Sequence, residues 1–255
     1  MKEDFFFEKI IKKYNNYQEI EFLKRMAPAG LEDYEEIIVD KYCKKNGHTL
    51  VIGCGAGREA FALAEKNLKV TGIDIVEKLV SICHNEGKEK DIKANFLTMN
   101  GCCTGFKEES FDYVIMFGQL ISLIPYRENR INTLKECKRI LKKNGLVMFT
   151  THSRERNIKE KIKWNIINFI RKIISGKLQE GDKMVTAISG YSLSGEKIFM
   201  HLYTPQEALK DIQSSGLQLV EYRSATEIVN NINCPSMREN DKYIVYIATG
   251  EKTYK

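Results

Sequence analysis

Three glycines at alternate positions, Gly53, Gly55 and Gly57, have a spacing that points to chemistry. They follow an apolar run directly, in ValIleGlyCysGlyAlaGlyArg at positions 51 to 58. Glycine has no β-carbon and adopts positive φ readily, so such a bend lets the main chain come close to a ligand. The pattern predicts a ligand-binding turn between a buried strand and a helix, and it leaves several phosphate- or nucleotide-bearing ligands open.

The residues after the bend argue against two of these ligands. A phosphate loop ends in Gly-Lys-Ser or Gly-Lys-Thr, whereas Gly57 is followed by Arg58 and Glu59. A nicotinamide-dinucleotide turn needs a third glycine where this chain has Arg58, because that glycine lets the helix pack closely on the strand. The phosphate loop is therefore excluded, and the nicotinamide interpretation is weakened.

A carboxylate, Asp74, ends the next apolar segment, in ThrGlyIleAspIle at positions 71 to 75. A glycine triplet after one strand with an acid closing the next resembles the class I S-adenosylmethionine-dependent methyltransferases. The resemblance extends over roughly residues 49 to 151. It implies that the bend passes beneath the methionine moiety of the cofactor and that Asp74 accepts hydrogen bonds from the ribose hydroxyls.

Further segments match this family. Asn100, in MetAsnGlyCysCysThrGlyPhe at 99 to 106, stands where the family usually has an acid that contacts the adenine amino group, and an amide oxygen can also accept from an amine. SerPheAspTyrValIleMetPhe at 110 to 117 matches the fourth strand of the family. The resemblance implies S-adenosyl-L-methionine as cofactor and S-adenosyl-L-homocysteine as product. It assigns cofactor binding to Gly53, Cys54, Gly55, Gly57, Asp74, Ile75, Asn100, Gly101 and Phe117.

The elements that must position these residues alternate along the chain. Strand, helix and strand in succession predict a parallel sheet. The resemblance implies an α/β, Rossmann-like sheet of seven mostly parallel strands, ordered 3-2-1-4-5-7-6 and flanked by helices. The predicted strands are 49–52, 69–74, 94–99, 111–117, 146–151, 217–222 and 243–249, and the predicted helices include 58–67, 76–86 and 128–141.

Two regions stand outside this alternation. Residues 1–46 have helical spacing and are predicted to be an N-terminal helical cap, which leaves 47–255 as the methyltransferase domain. Within that domain, about 152–203 is too long for a structureless connection, so we expect a lid insert with its own helix from about 158 to 174.

The insert holds the positive charge of the chain. Between Arg154 and Lys177, eight basic residues stand against two acidic ones, an excess equal to the net charge of +6 for the whole chain. The insert helix admits three interpretations: a lid docked on the domain with its lysines exposed, which we prefer, a helix on an anionic membrane, or an RNA contact. The apolar side expected to dock comprises Ile158, Ile162, Ile166, Phe169, Ile170 and Ile173, widened by Trp164, Ile167 and Ile174.

Methyl transfer from a sulfonium is an in-line displacement, so the protein must hold a nucleophile about 3 to 3.5 Å from the methyl carbon. An amine or phenol acceptor must also lose a proton to a general base. His152, just past the fifth strand, and His201, at the end of the insert, are the candidate catalytic residues, and a purely structural role is the alternative for both. Candidate aromatic lining residues are Tyr14, Tyr17, Tyr191 and Tyr203.

Composition excludes other classes of protein. The seven cysteines include no CysXaaXaaCys pair, so we expect neither a disulfide framework nor a metal site. No apolar run approaches ~18 residues and the first residues do not resemble a secretory signal, so we expect a cytoplasmic protein without a transmembrane segment.

The sequence therefore predicts a methyltransferase that acts on an oxygen or nitrogen of a small molecule or small peptide. The alternatives are an RNA methyltransferase that uses the basic insert helix, a non-catalytic cofactor-binding protein of the same fold, and a nicotinamide-dependent dehydrogenase. Against RNA or DNA as acceptor, PheGlyGlnLeu at 117 to 120 lacks the AsnProProTyr-type box of adenine amino methyltransferases.

Overall fold

The structure, a computed structural model, describes residues 5–154, 158–173, 178–186, 195–234 and 241–251. The strands are β1 (His48–Ile52), β2 (Lys69–Asp74), β3 (Ala94–Thr98), β4 (Phe111–Met116), β5 (Leu141–His152), β6 (Asp182–Val185), β7 (Ile198–His201), β8 (Gln218–Ser224) and β9 (Tyr243–Thr249). The α-helices are α1 (Phe5–Tyr14), α2 (Tyr17–Met26), α3 (Asp33–Tyr42), α4 (Arg58–Glu65), α5 (Glu77–Glu89), α6 (Arg127–Ile140), α7 (Ile158–Ile173), α8 (Pro205–Ser214) and α9 (Ala225–Val229).

Seven strands form one sheet in the order β3-β2-β1-β4-β5-β9-β8. Strands β1 to β5 pair in parallel, whereas β9 is antiparallel to both β5 and β8. Counted within this sheet alone, the order is the predicted 3-2-1-4-5-7-6. The last two strands of the sheet are labelled β8 and β9, and not 6 and 7, because the sequence did not predict β6 and β7. These two strands form a separate antiparallel hairpin inside the insert.

Both faces of the sheet are buried, which explains why its strands are apolar runs. In β1, Leu50 and Ile52 pack into the cluster on one face, and Val51 packs into the cluster on the other. Burying one such side chain stabilises the fold by about 1.5 to 3 kcal/mol. The carboxyl ends of β1, β2 and β4 therefore have fixed positions, and the predicted site residues follow these ends.

The insert helix α7 does pack on the domain, but the prediction of which side of the helix is buried is partly wrong. Trp164 is 4% exposed, whereas Ile162 and Ile166 are each 55% exposed. Trp164, Ile167 and Asn168 share one face of the helix, and Ile162 and Ile166 lie one turn apart on the opposite face. The helix is apolar on most sides and only one face can be covered, and the indole offers the larger area to bury. Of the other predicted residues, Ile174 lies outside the described residues, and the structure does not describe the side chains of Ile158, Phe169, Ile170 and Ile173.

The N-terminal helices lie over the end of β2. Ile20 of α2 packs with Val76 and Leu79, which follow that strand. In α1, the ring of Phe6 lies 5.2 Å from the ring of Phe199 in β7, so the same helix also contacts the insert hairpin. Among the helices in the described part of the chain, none has the length and apolar character needed to cross a membrane.

Candidate active site

The glycine bend is anchored to the neighbouring strand through its main chain. The N–H groups of Gly53 and Cys54 both donate to the carbonyl of Ile73, at 2.7 and 3.0 Å. Gly53 has φ +70°, and a β-carbon there would lie 2.5 Å from a methyl carbon of Leu120. The positive φ therefore favours a glycine at this position, and a larger residue would also require the side chain of Leu120 to move.

Gly55 and Gly57 serve different purposes. Gly57 has φ +96°, and a β-carbon there would lie 2.4 Å from the ring of Phe61, so it is needed for packing of the bend on α4. At Gly55, φ is +54° and a β-carbon would meet no described protein atom within 4 Å. The open space at Gly55 is the side of the bend that a ligand can approach.

The carboxylate of Asp74 reaches back to this bend. Its Oδ2 accepts from the N–H of Gly55 at 3.0 Å, and its Oδ1 accepts from the N–H of Val76 at 2.9 Å. Burial raises the pKa of Asp74, and the hydrogen bonds from Val76 and Gly55 oppose this shift. Each carboxylate oxygen can accept a further hydrogen bond, so Asp74 can hold the loop and a ligand hydroxyl together.

A cavity of about 530 Å³ extends from the bend. Eight of the nine predicted cofactor residues line it: Gly53, Cys54, Gly55, Asp74, Ile75, Asn100, Gly101 and Phe117. Gly57 is not among the lining residues, in agreement with its packing against Phe61. The volume lies in the range of small-molecule and cofactor sites, about 300 to 1,000 Å³.

Asn100 and Gly101 occupy the turn after β3. The side-chain oxygen of Asn100 accepts from the N–H of Cys102 at 2.9 Å, which leaves this oxygen one more lone pair for a ligand. A β-carbon on Gly101 would lie 2.5 Å from a methyl carbon of Ile52. The turn therefore lies tightly against the end of β1, where it lines the cavity.

The opposite wall of the cavity comes from the N-terminal helices and is mostly apolar, although the ion pair of Lys13 and Glu19 also lines it. Phe7, Ile10 and Tyr14 of α1 and Phe22 of α2 all line it. Burial raises the pKa of the Tyr14 phenol, and the charges of Glu19 and Asp74 raise it further. The phenol therefore stays protonated at neutral pH and presents a neutral hydroxyl to the cavity.

Of the other predicted aromatic residues, Tyr17 is 73% exposed, Tyr203 is buried in the apolar cluster on one face of the sheet, and Tyr191 lies outside the described residues. Phe7 and Phe22 also line the cavity, but they were not predicted to do so. Both belong to the same helical pattern of apolar residues as their neighbours. That spacing locates a helix, but it cannot say which face meets a ligand.

A polar cluster beside the bend also went unpredicted. Arg58 forms ion pairs with Glu35, at 2.7 Å, and with Glu59, at 2.5 Å. All three side chains line the cavity. Burial raises the pKa of Glu59, and the adjacent guanidinium of Arg58 lowers it. Oε1 of Glu59 lies 3.4 Å from the position of a β-carbon on Gly118, so its carboxylate points toward the bend of the chain after β4.

Neither candidate catalytic histidine lines the cavity. The ring of His152 lies 5.3 Å from the ring of Tyr243, and Tyr243 does line the cavity. His201 lies in β7 with Nδ1 2.8 Å from Oδ1 of Asp182, and burial lowers its pKa. Its neighbours Met200 and Leu202 pack toward Leu123 on the cavity wall, so strand alternation directs His201 to the other side.

The described residues fit S-adenosylmethionine. An open face at Gly55, a carboxylate at the end of β2 and an amide in the turn after β3 surround one cavity. These groups match, in order along the sheet, the methionine, ribose and adenine parts of that cofactor.

Comparison with known proteins agrees with this fit. Residues 50–149 match the methyltransferase domain family. The fold is similar to that of a SAM-dependent methyltransferase from Methanosarcina mazei, with TM-score 0.65 and 23% identity, over 83% of this chain and 95% of that protein. It is also similar to that of the (4+2)-cyclase SpnF, with TM-score 0.58 and 14% identity, over 85% of this chain and 80% of that protein.

In sequence, the ubiquinone biosynthesis O-methyltransferase of Coxiella burnetii is 28% identical over 110 residues. Those residues are 43% of this chain and 45% of that protein, so the match spans less than half of its length. Residues 50–149, the segment that matches the methyltransferase domain family, hold the glycine bend and Asp74, and this match supports a class I S-adenosylmethionine-dependent methyltransferase family for the chain.

Proposed function

We propose that this protein transfers a methyl group from S-adenosylmethionine to an oxygen or nitrogen atom of a small molecule or small peptide. The observation that carries the proposal is the continuity of one cavity. The same space is lined by Gly55 and Asp74 on one side and by the apolar faces of α1 and α2 on the other. A donor at the polar wall and an acceptor at the apolar wall would therefore share one site.

The cofactor, when bound, supplies a methyl group on a positively charged sulfur, which a nucleophile displaces as the carbon–sulfur bond breaks and a carbon–oxygen or carbon–nitrogen bond forms. The residues of this chain bind and orient the reactants. Gly55 offers bare main chain, Asp74 accepts from hydroxyls, and Asn100 accepts from an amine. The apolar side chains of Phe7 and Phe22 exclude water from the site. A dry site favours the transfer because the positive charge of the sulfonium is neutralised during the reaction.

We propose His152 as the group that removes the proton from the acceptor. Its ring contacts Tyr243, which forms part of the cavity wall, so a small rotation of that tyrosine would connect the imidazole with the site. His201 is the second candidate; its Nδ1 is bound to Asp182, and only its Nε2 could take a proton. For both histidines the role of general base stays a prediction.

In this proposal, residues 1–46 act as a cap and about 152–203 as a lid. Two contacts support it. The ammonium of Lys13 in α1 pairs with Glu19 at 2.8 Å and also donates to the carbonyl of Thr186 in the insert at 3.0 Å. Because Lys13 of the cap contacts Thr186 of the lid, closure of one segment over the cavity would favour closure of the other.

A cofactor-binding protein of the same fold that transfers no methyl group is the alternative. The similarity in fold to a cyclase favours it, because that protein carries out a different chemistry on the same architecture. The similarity to an O-methyltransferase favours methyl transfer, and in particular transfer to oxygen.

Two measurements test the proposal. Calorimetric titration should give saturable binding of S-adenosylmethionine and S-adenosylhomocysteine, and none of nicotinamide dinucleotides. Incubation with methyl-labelled donor and separate small-molecule, peptide and RNA fractions should then label the first or second fraction. Binding without labelling of any fraction would favour the non-catalytic alternative, and labelling of RNA alone would overturn the proposed acceptor class.

A further inference from the structure

We propose that the outward face of α7 docks on the surface of an anionic lipid bilayer. This face carries Ile162 and Ile166, each 55% exposed and one helical turn apart. Lys159 and Lys163 are exposed beside them, and Lys161 is exposed on the other flank. An apolar stripe between lysines is the composition of a helix that lies in the plane of a membrane interface.

The inner face of the helix fixes this orientation. Trp164 is 4% exposed and Asn168 is 9% exposed, and Trp164 packs with Met200 and Leu202 of the insert. Turning the helix to bury Ile162 would therefore expose the indole, the larger apolar group. The exposed isoleucines are a stable feature of the folded domain, and they cannot be covered by rotation of α7 without this loss.

Charge complementarity selects the occupant. The segment from 154 to 177 carries an excess of positive charge equal to that of the whole chain. Glu160 pairs with Lys163 at 3.4 Å, and both of its neighbours in sequence, Lys159 and Lys161, are exposed lysines. Each lysine close to an anionic leaflet is attracted to the lipid headgroups, and the isoleucines add apolar contact with the acyl boundary.

Two other occupants fit this face less well. RNA phosphates would bind the lysines but would gain little from Ile162 and Ile166, because phosphate contacts need no apolar partner. A second copy of the chain in a two-fold arrangement would bring the lysines of one copy against those of the other, which is unfavourable. An anionic bilayer satisfies the apolar and the charged groups together.

Docking in this orientation has a consequence for the cavity. Trp164 belongs to the same apolar cluster as Leu123, and Leu123 lines the cavity. On the membrane, α7 would be the layer between lipid and cavity wall. The docking surface itself does not depend on the proposed methyl transfer, so the two proposals can fail separately.

Vesicle flotation with the full chain tests the proposal. The protein should float with vesicles of phosphatidylcholine mixed with phosphatidylglycerol and remain unbound with phosphatidylcholine alone. The double variant Ile162→Ser/Ile166→Ser should lose binding by roughly tenfold or more, because it removes the apolar stripe. The double variant Lys159→Glu/Lys163→Glu should also lose vesicle binding. Added salt should weaken vesicle binding by the wild type.

The matched control is Ile37→Ser/Val229→Ser, which removes two exposed apolar side chains, 41% and 46% exposed, from other helices. It should bind vesicles as the wild type does. Trp164 is the only tryptophan in the chain, so its fluorescence reports whether α7 is still docked in each variant.

Three results would overturn the proposal. One is equal flotation of the wild type and the isoleucine variant while tryptophan emission is unchanged. Another is RNA binding that depends on the lysines and is indifferent to the isoleucines, with no flotation. The third is a dimer in sedimentation analysis that the isoleucine variant abolishes, with no flotation of the wild type.

Discussion

Asp74 and Gly55 are joined by a hydrogen bond of 3.0 Å from the main-chain N–H of the glycine to Oδ2 of the carboxylate. The bond connects the end of β2 with the middle of the glycine bend after β1, two segments that lie side by side because their strands pair in parallel. The carboxylate therefore shapes the loop and offers acceptor atoms at the same place. These two effects can be separated by mutation.

Asp74→Ala should weaken binding of S-adenosylmethionine by about 1 to 3 kcal/mol, which is roughly five- to 150-fold, through lost charged hydrogen bonds. Calorimetric titration measures this change. Asp74→Asn is the control, since its amide oxygen can still accept from Gly55 and should recover part of the affinity. An unchanged dissociation constant for Asp74→Ala would contradict the assigned role.

Gly55→Ala should reduce cofactor affinity through the space its methyl group occupies. The matched control is Gly195→Ala, because Gly195 also has positive φ, +67°, and also meets no described atom within 4 Å of a β-carbon, but does not line the cavity. Both variants should lose about 1 to 2 kcal/mol of stability from backbone strain. Only Gly55→Ala should lose affinity, and equal affinities of the two variants would show that the bend does not contact the ligand.

The ion pair between Lys13 and Glu19 is buried, with side chains 2% and 4% exposed. Lys13→Met should therefore destabilise the protein by about 3 to 5 kcal/mol, because it removes the ammonium group that lies 2.8 Å from the buried carboxylate of Glu19. Lys13→Met/Glu19→Met should recover most of this loss. Urea unfolding measures both.

The half-buried Lys66, which pairs with the exposed carboxylates of Glu36 and Asp40, serves as the control. Lys66→Met should change the free energy of unfolding by no more than about 1 kcal/mol. Equal effects of Lys13→Met and Lys66→Met would contradict the contribution assigned to burial.

The sequence predicted the parts of the site that depend on local pattern. The bend at Gly53 to Gly57 follows an apolar strand, and Asp74 closes the next one; parallel pairing then brings them together without further information. The resemblance to the family named the cofactor residues, and eight of the nine line one cavity because they lie at or just after strand ends, which meet at one edge of a parallel sheet.

Contacts between distant segments were not predictable. Arg58 pairs with Glu35 of α3, and no spacing in the sequence connects these two positions. The docking face of α7 was also predicted only in part, because isoleucines occur on most sides of that helix and its periodicity does not favour one face. The volume and shape of the pocket that receives Trp164 decide the orientation, and these depend on Met200 and Leu202 in a hairpin that was not predicted.

His152→Gln should leave binding of S-adenosylmethionine unchanged and lower kcat for a phenol or amine acceptor by roughly 100- to 10,000-fold, the usual contribution of a general base. The rate of the variant should also lose any dependence on a group that titrates near neutral pH. The measurement is kcat against pH for the acceptor found in the labelling experiment. A loss in affinity with normal kcat would instead indicate a structural role beside Tyr243.

His201 should make stability depend on pH in a defined window. Burial lowers its pKa below the ordinary value of 6.5, although the bond to Asp182 and the charge of Glu207 oppose the shift and Arg130 adds to it. Between the two pKa values the unfolded chain binds a proton that the folded chain does not, so the free energy of unfolding rises with pH there. The stability is fully present above about 6.5 and is lost as the pH falls toward the folded pKa.

His201→Asn keeps a side-chain N–H that can donate to Asp182 but removes the titration. Its free energy of unfolding, measured with urea at several pH values from about 5 to 8, should fall less steeply on the acid side than that of the wild type. Equal acid slopes for His201→Asn and the wild type would place the titrating group elsewhere, because only a group whose proton affinity changes on folding contributes to that slope.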